Sequence, residues 1–447
     1  MSAVSARSVR QADRLDPSRA LQRVLYRSAK AQPGRRFHQL YSHVARSDIL
    51  RRAWDDVRAN RGAPGVDGVT IADVEAGGVG EFLQQLADAL AAGSYRPSPL
   101  RRVEIPKPGR AGETRPLGIP TVADRVVMTA GKIVLEPLFE ADFLPASYGF
   151  RPKKSAIDAC ERVRVAANRG RDWVLDADVK NCFGMIDHDA LMLQVERRVS
   201  DRRMLKLIRA WLRAGVLESG VITDTVSGTP QGSPVSPLLA NIAMHVLDEA
   251  WANEGGYALG VLVRYADDFV VICPDRQRAL RAQRKAIDVL GRVGLQLHPD
   301  KTRIADLRRG AEGFDFLGFH HHKVASWRDR TRFFLQRWPS QKAMASIRGK
   351  VKAATHRRFV GLDMGTIIGT LNQTLRGWGN YFRWGNSARR FIIIDGYVHM
   401  RLAMLASAKH GLTGRHWVGR FDLDWLNQWK LYRLSGHVRW GGPHALR

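Results

Sequence analysis

Tyr265-Ala266-Asp267-Asp268 constrains this chain more than any other stretch. Two apolar, β-branched runs flank it, Val261-Leu262-Val263 and Phe269-Val270-Val271-Ile272. Such runs around a polar step predict strand, tight turn, strand, with paired acids at the tip. Adjacent aspartates in a hairpin are ordinarily only turn formers. At the end of a sheet they also supply the oxygen donors that hard divalent cations prefer, with positions left for phosphate. Two such cations about 3.5–4 Å apart can activate an attacking oxygen and stabilise a leaving one. A third acid is then needed. Trp173-Val174-Leu175-Asp176-Ala177-Asp178-Val179 reads as a further strand, and its alternation puts Asp176 and Asp178 on one face. Spacing alone does not choose between them.

Charge points to the partner. The chain has 447 residues, enough for two to four domains, and is 45% hydrophobic, which argues against disorder. Lys and Arg number 71 against 43 Asp and Glu, a net charge of +28. A surplus that large repels itself unless it faces a polyanion. Nucleic acid is the natural one, because neutralised phosphates release counterions. Aromatic residues scattered through the basic segments, with no long amphipathic anchor, favour it over an anionic membrane. The three cysteines, Cys160, Cys182 and Cys273, form no C-x-x-C pair. Disulfide scaffolds and Cys-rich zinc modules are disfavoured, and a reducing compartment fits. No apolar run approaches the roughly 20 residues of a membrane span. The first 30 residues are rich in Arg and Ser, without the apolar core of a secretory signal. Asp13 and Asp16 argue against a transit peptide, and residues 1–36 read as a mobile basic arm.

Periodicity predicts helices within 37–60, over 80–92, 121–142 and 189–215, from Leu238 to Glu249, over 276–293, and through most of the chain beyond 340. Ser236 is the expected N-cap of the Leu238 helix, with Pro237 in its first turn. Val103–Gly109 and Gly112–Ile119 read as the arms of a hairpin. Val221–Val226 reads as a short strand or hairpin, and Leu295–Leu297 and Phe314–Phe319 as strands.

A series of motifs runs in order along these elements. Ile105-Pro106-Lys107 and Arg115-Pro116-Leu117-Gly118-Ile119-Pro120 come first, then Ser147-Tyr148-Gly149-Phe150-Arg151-Pro152. Asp178-Val179-Lys180 and Thr229-Pro230-Gln231-Gly232-Ser233-Pro234-Val235-Ser236-Pro237 follow. Tyr265-Ala266-Asp267-Asp268, Pro299-Asp300-Lys301-Thr302 and Phe316-Leu317-Gly318-Phe319 complete the series. In this order the chain resembles the reverse transcriptases encoded by bacterial group II introns, the intron maturases, over about residues 40–440.

The resemblance implies an α/β right-hand polymerase, with fingers and palm over 37–330 and a helical thumb or maturase region over 331–447. It implies RNA-directed DNA polymerisation with two Mg²⁺ ions, and it favours Asp178 over Asp176. Asp178, Asp267 and Asp268 would be catalytic metal ligands, joined by the Val179 backbone carbonyl. Lys107, Arg115, Phe183, Gln231 and Lys301 would meet the dNTP, with Phe183 blocking a ribose 2′-hydroxyl. Arg151, Gly232, Tyr265 and Gly318 would lie along template or primer. Asn181 and Gly184 depart from the family pattern, the first replacing a smaller residue and the second an acid.

The last stretch is the most basic. Residues 341–447 hold 18 Lys and Arg against 4 Asp and Glu, half of the net charge, and six of the twelve Trp. Within Leu371–Arg383, which resembles the family's thumb, Arg376 and Arg383 are expected to contact RNA. No cysteine follows Cys273, so the Cys-rich endonuclease of many relatives is not expected. The implied partners are a parent intron RNA, an RNA template, a DNA primer and dNTPs, with no membrane. The implied setting is the bacterial cytoplasm at the nucleoid, as a monomer or homodimer. The rivals are an intron-free relative serving defence or repair, and a non-catalytic RNA-binding splicing factor.

Overall fold

The structure is a computed structural model describing residues 16–106, 112, 114–218, 221–223, 228–229, 232–412 and 420–439. Helices α1 (Pro17–Ala31), α2 (Tyr41–Val44), α3 (Ser47–Asn60), α4 (Ile71–Gly77) and α5 (Val79–Ala92) come first. Strands β1 (Leu100–Pro106) and β2 (Thr114–Ile119) follow, then α6 (Val122–Glu140), α7 (Ala156–Ala167) and β3 (Trp173–Asp178). Next are α8 (Cys182–Met185), α9 (His188–Glu196), α10 (Arg202–Leu212), β4 (Val216–Glu218), β5 (Val221–Thr223) and α11 (Ser236–Asn253). The chain continues with β6 (Val261–Tyr265), β7 (Asp268–Cys273), α12 (Arg276–Gly291), β8 (Arg303–Asp306), β9 (Gly313–Phe316), β10 (Phe319–Ala325) and β11 (Phe333–Pro339). Helices α13 (Gln341–Ala354), α14 (Met364–Phe382), α15 (Ala388–Lys409) and α16 (Leu423–Gln428) end it.

The antiparallel sheet β6-β7-β3-β8 lies between two cores. Strand alternation sends Leu175, Ala177, Leu262, Phe269 and Val271 into one core. Val174, Val261, Val263, Val270 and Ile272 enter the other, which also holds α7, β9–β11 and the C-terminal helices. Burial on both faces is why these strands read as unbroken apolar runs. A second sheet, β2-β1-β4-β5, stands the β1–β2 hairpin beside the first core. Helix α6 buries 15 of its 19 residues, Asp124 and Arg125 among them. By length and composition α15 could cross a membrane, but Phe391, Ile394, Val398 and Leu402 face the second core. All three cysteines are buried and unpaired.

Several expectations are corrected. The arm foreseen over residues 1–36 is helical from Pro17. Asp16 caps this helix by accepting from the Ser18 and Arg19 amides, and Leu25 and Ala29 are buried. Gln22 Nε2 donates to the Ile133 carbonyl at 3.1 Å and Lys30 Nζ to that of Ala141 at 2.8 Å. The boundary at 330/331 falls inside the hairpin joining β10 to β11, so the helical region begins at Gln341. Phe314–Phe319 is two strands, because Leu317 and Gly318 turn the chain at φ +51° and +78°. Leu295–Leu297 forms only an isolated bridge, Leu297 to Val179. Val235, not Ser236, occupies the cap position of α11, without a side-chain bond.

Candidate active site

Register decides which strand acid reaches the tip. Antiparallel pairing of β3 with β7 sets Asp178 opposite Asp268, and pairing of β6 with β7 sets Tyr265 opposite Asp268. Asp176 lies two residues back, opposite Val270, where Arg303 approaches it at 3.4 Å. Ala266 carries the turn at φ +58°. Burial pushes the Asp268 carboxyl up to about 7, and the charges of Asp178, Asp267 and Asp176 add to it. Burial and then Asp178 raise Asp267 as well, against the pull of Arg115 and Lys301. Burial lifts Asp176 to about 6 despite Arg303. Crowded carboxylates of this kind need a compensating cation. Here Lys301 Nζ donates to Asp178 Oδ2. Among the described residues no three His, Cys, Asp or Glu side chains already converge as a metal site.

A cleft of about 1000 Å³ opens over this edge. Asp178, Val179, Phe183, Asp267 and Lys301 line one side, with Gly232 and Ser233 beside them. Ile105, Pro106 and Arg115 of the β1–β2 hairpin line the other. Asp268, the residue after Asp267, is not among those lining the cleft. The backbone next to Val179 is tied by Lys180 N to the Gln296 carbonyl at 2.9 Å and by His298 N to the Asp178 carbonyl at 2.8 Å. Neither bond uses the Val179 carbonyl. Gly232, at φ +113°, lies so near the hairpin that a Cβ would come 2.6 Å from the Gly118 carbonyl. Lys107 and Gln231 lie outside the described residues.

Residues 105–321 match the family described as "Reverse transcriptase (RNA-dependent DNA polymerase)". Residues 344–421 match the "Group II intron, maturase-specific domain". "Protein YkfC" of Escherichia coli (strain K12) is 35% identical over 348 residues, which cover 69% of this chain and 89% of that protein. The chain belongs to the group II intron reverse transcriptase/maturase family. "Group II intron-encoded protein LtrA" of Lactococcus lactis subsp. cremoris is 38% identical over 213 residues, 48% of this chain and 35% of that protein. Among solved structures, a chain of the "Partial Cas6-RT-Cas1--Cas2 complex" aligns at TM-score 0.34 and 23% identity, over 55% of this chain and 40% of that chain.

Other residues singled out in this reverse transcriptase are not among those lining the cleft. Arg151, expected on template or primer, is a buried strut. It pairs with Glu140 at 2.7 Å and donates to the Leu144 and Ser147 carbonyls at 2.7 and 2.8 Å. With its donors spent inside and 5% of its side chain exposed, it has little left for a nucleic acid. Gly318 makes the β9–β10 turn, where a Cβ would touch the Phe382 ring at 3.4 Å. Tyr265 is half-buried, its ring 6.4 Å from that of Phe150. Arg376 is exposed over the Tyr432 ring at 5.4 Å. Arg383 lies against Trp384 at 5.1 Å and donates to Asn380 at 3.1 Å.

Sequence reading missed the group that holds the turn. Arg264, fully buried, donates from Nε to Asp248 at 2.9 Å. Its Nη1 reaches Asn241 at 3.0 Å and the Ala266 carbonyl at 2.9 Å. Its Nη2 reaches Ser147 at 2.8 Å and Asp248. All five N–H donors are used, and one grips the left-handed residue beside Asp267. A Cβ on Gly149 would lie 2.4 Å from the Ala266 amide, so the motif around Tyr148 packs on the same turn.

Proposed function

We propose that this reverse transcriptase extends a DNA primer on an RNA template, and binds its parent intron RNA to promote splicing and retrohoming. One observation carries the polymerase reading: Asp178 lies opposite Asp268 on paired strands, and Asp178 and Asp267 line a cleft shared with the Arg115 hairpin. The donors suit Mg²⁺, being oxygen only and strongly anionic. Asp178, Asp267, Asp268 and the Val179 carbonyl would hold two ions. When bound, these would neutralise phosphate charge and activate the primer 3′-hydroxyl.

The chain's own groups do the rest. Arg115 and Lys301, with Lys107 and Gln231 from the same motifs, would hold the triphosphate, and Lys301 could give a proton to the departing pyrophosphate. The Phe183 ring would stand where a 2′-hydroxyl would go. Gly232 would let the nascent base pair approach the backbone. Arg376 and Arg383, in the region matched to the maturase domain, would meet RNA phosphates. Work on intron RNA and its DNA target would place the protein in the bacterial cytoplasm, at the nucleoid.

Changing Asp267 and Asp268 to Asn should lower Mg²⁺-dependent extension by at least about 10³-fold, the loss of several kcal/mol of metal-borne stabilisation. Intron splicing by the same variant should persist. Equal loss of splicing would refute the separation of roles, and no extension by the unaltered protein would refute the enzyme.

A further inference from the structure

The ribbon β10–β11 carries rings that the cleft does not use. Its inner face is core, with Phe319, His321 and Leu335 buried. On the outer face, register sets His320 beside Trp338, His322 beside Gln336, and Val324 beside Phe334. The His320 and His322 rings lie 5.9 Å apart and 21° from parallel, and Trp338 is 5.5 and 6.1 Å from them. Glycine on the neighbouring segment lets the imidazoles settle onto backbone. A Cβ on Gly313 would come 2.6 Å from His320 Nε2, and one on Gly310 would come 3.3 Å from His322 Nε2. Asp315 Oδ1, 2.6 Å from His320 Nδ1, holds that ring in place.

The far end of the ribbon is more exposed still. Asp329 folds the turn by accepting from the Thr331 amide at 3.0 Å. Trp327 stands at its tip, 83% exposed, with the Arg328 guanidinium 4.8 Å from its ring. Phe334 is 46% exposed. Phe334 and Trp338 are four positions apart, so the row of rings runs about 13 Å before the tip is reached. Arg390 lies 5.9 Å over Trp338 at one end, and Arg328 and Arg330 are exposed at the other.

Trp327 and Phe334 are exposed and His320, His322 and Trp338 half-buried, and rings gathered on one surface mark a binding site. Protein contacts favour patches with few charges at their centre. Rings interleaved with arginine instead suit a strand of unpaired nucleotides, whose bases stack and whose phosphates pair. The surface is also continuous with the catalytic face. Arg303 Nη2 donates to the Gly313 carbonyl at 2.9 Å, and Arg303 meets Asp176, on the same strand face as Asp178.

We propose that the outer face of β10–β11, with its Trp327 tip, is a second nucleic-acid site that stacks unpaired RNA bases. It lies outside the cleft and does not depend on polymerisation. The test uses the full chain with unlabelled primer–template in saturating amount and a fluorescein-labelled oligouridylate as probe. The double variant Trp327→Ala, Phe334→Ser alters two exposed side chains. It should weaken oligouridylate binding by about 5- to 100-fold, the worth of one or two stacked bases. Its extension of a short annealed primer should be unchanged. Ultraviolet crosslinks from the probe to the unaltered protein should map within residues 320–338. Unchanged affinity, or crosslinks only elsewhere, would overturn the assignment. So would an equal loss on an A-form RNA duplex. Loss of self-association in sedimentation without loss of RNA binding would make the ribbon a protein contact and overturn it too.

Discussion

Asn181 and Gly184 read along the chain as two separate departures from the family pattern, yet in space they are one. Asn181 takes the left-handed conformation at φ +42°, which asparagine tolerates. Its side-chain amide fills the place of a side chain at 184, where a Cβ would lie 2.3 Å from Nδ2. Between them, Phe183 is half-buried against the core and lines the cleft, so packing and substrate exclusion are both open to it. Phe183→Ala should raise incorporation of ribonucleotides over deoxyribonucleotides by about 10- to 200-fold, the usual range for a change in pocket shape. Competitive primer extension with both nucleotide types measures it. What sequence left open at this scale was any choice needing a second strand. Asp176 and Asp178 share a face, and only the β3–β7 register separates them. Arg264 resembles any solvated arginine, because its partners come from Ser147, Asn241, Asp248 and Ala266, scattered over 120 positions of chain. Arg151 misled for the same reason, its partner Glu140 lying on another element.

Elements were legible where apolar period and turn chemistry agreed, as in β3, β6, β7 and α6. They were misread where a turn lacked its usual signal. Leu317 in a left-handed conformation hides the break between β9 and β10 inside an apolar run. Helix α1 hid behind its arginines, although Ser18, Leu25 and Ala29 mark one buried stripe. The β9–β10 pair also has a measurable liability. His321 is fully buried, stacked on Phe314 at 5.0 Å and 14°, and neither ring nitrogen has a hydrogen-bond partner among the described residues. Burial, then the charges of Arg337 and His320, hold it well below the ordinary histidine range. Below about pH 6.5 the unfolded chain therefore binds a proton that the folded one refuses, so stability is lost as pH falls. Unaltered protein should lose about 2 kcal/mol more than His321→Phe between pH 7 and pH 5, as urea unfolding of the two would measure.

At the scale of the molecule, net charge was readable from composition, but the extent of the folding unit was not. One buried cluster runs from Val174, Val263 and Val270 of the central sheet through Phe316 and Phe319 to Ile347, Leu371 and Phe391. Arg337 joins the same regions, pairing with Glu161 of α7 at 3.1 Å and donating to the Trp384 carbonyl at 2.8 Å. A chain ended after Ser340 would uncover several large apolar side chains, each worth about 1.5–3 kcal/mol. Its thermal midpoint should fall by at least about 10 °C, or its cooperative transition should vanish, by circular dichroism. A single transition unchanged in midpoint would show that the helical region is dispensable. The buried thiols have a practical consequence. Burial raises Cys160, Cys182 and Cys273 each to about 12, leaving almost no thiolate at neutral pH. Maleimide dyes would therefore choose cysteines introduced at exposed Glu104 and Gln373 over the native three. The distance between the hairpin and α14 could then be followed by single-molecule energy transfer, with every natural cysteine left in place.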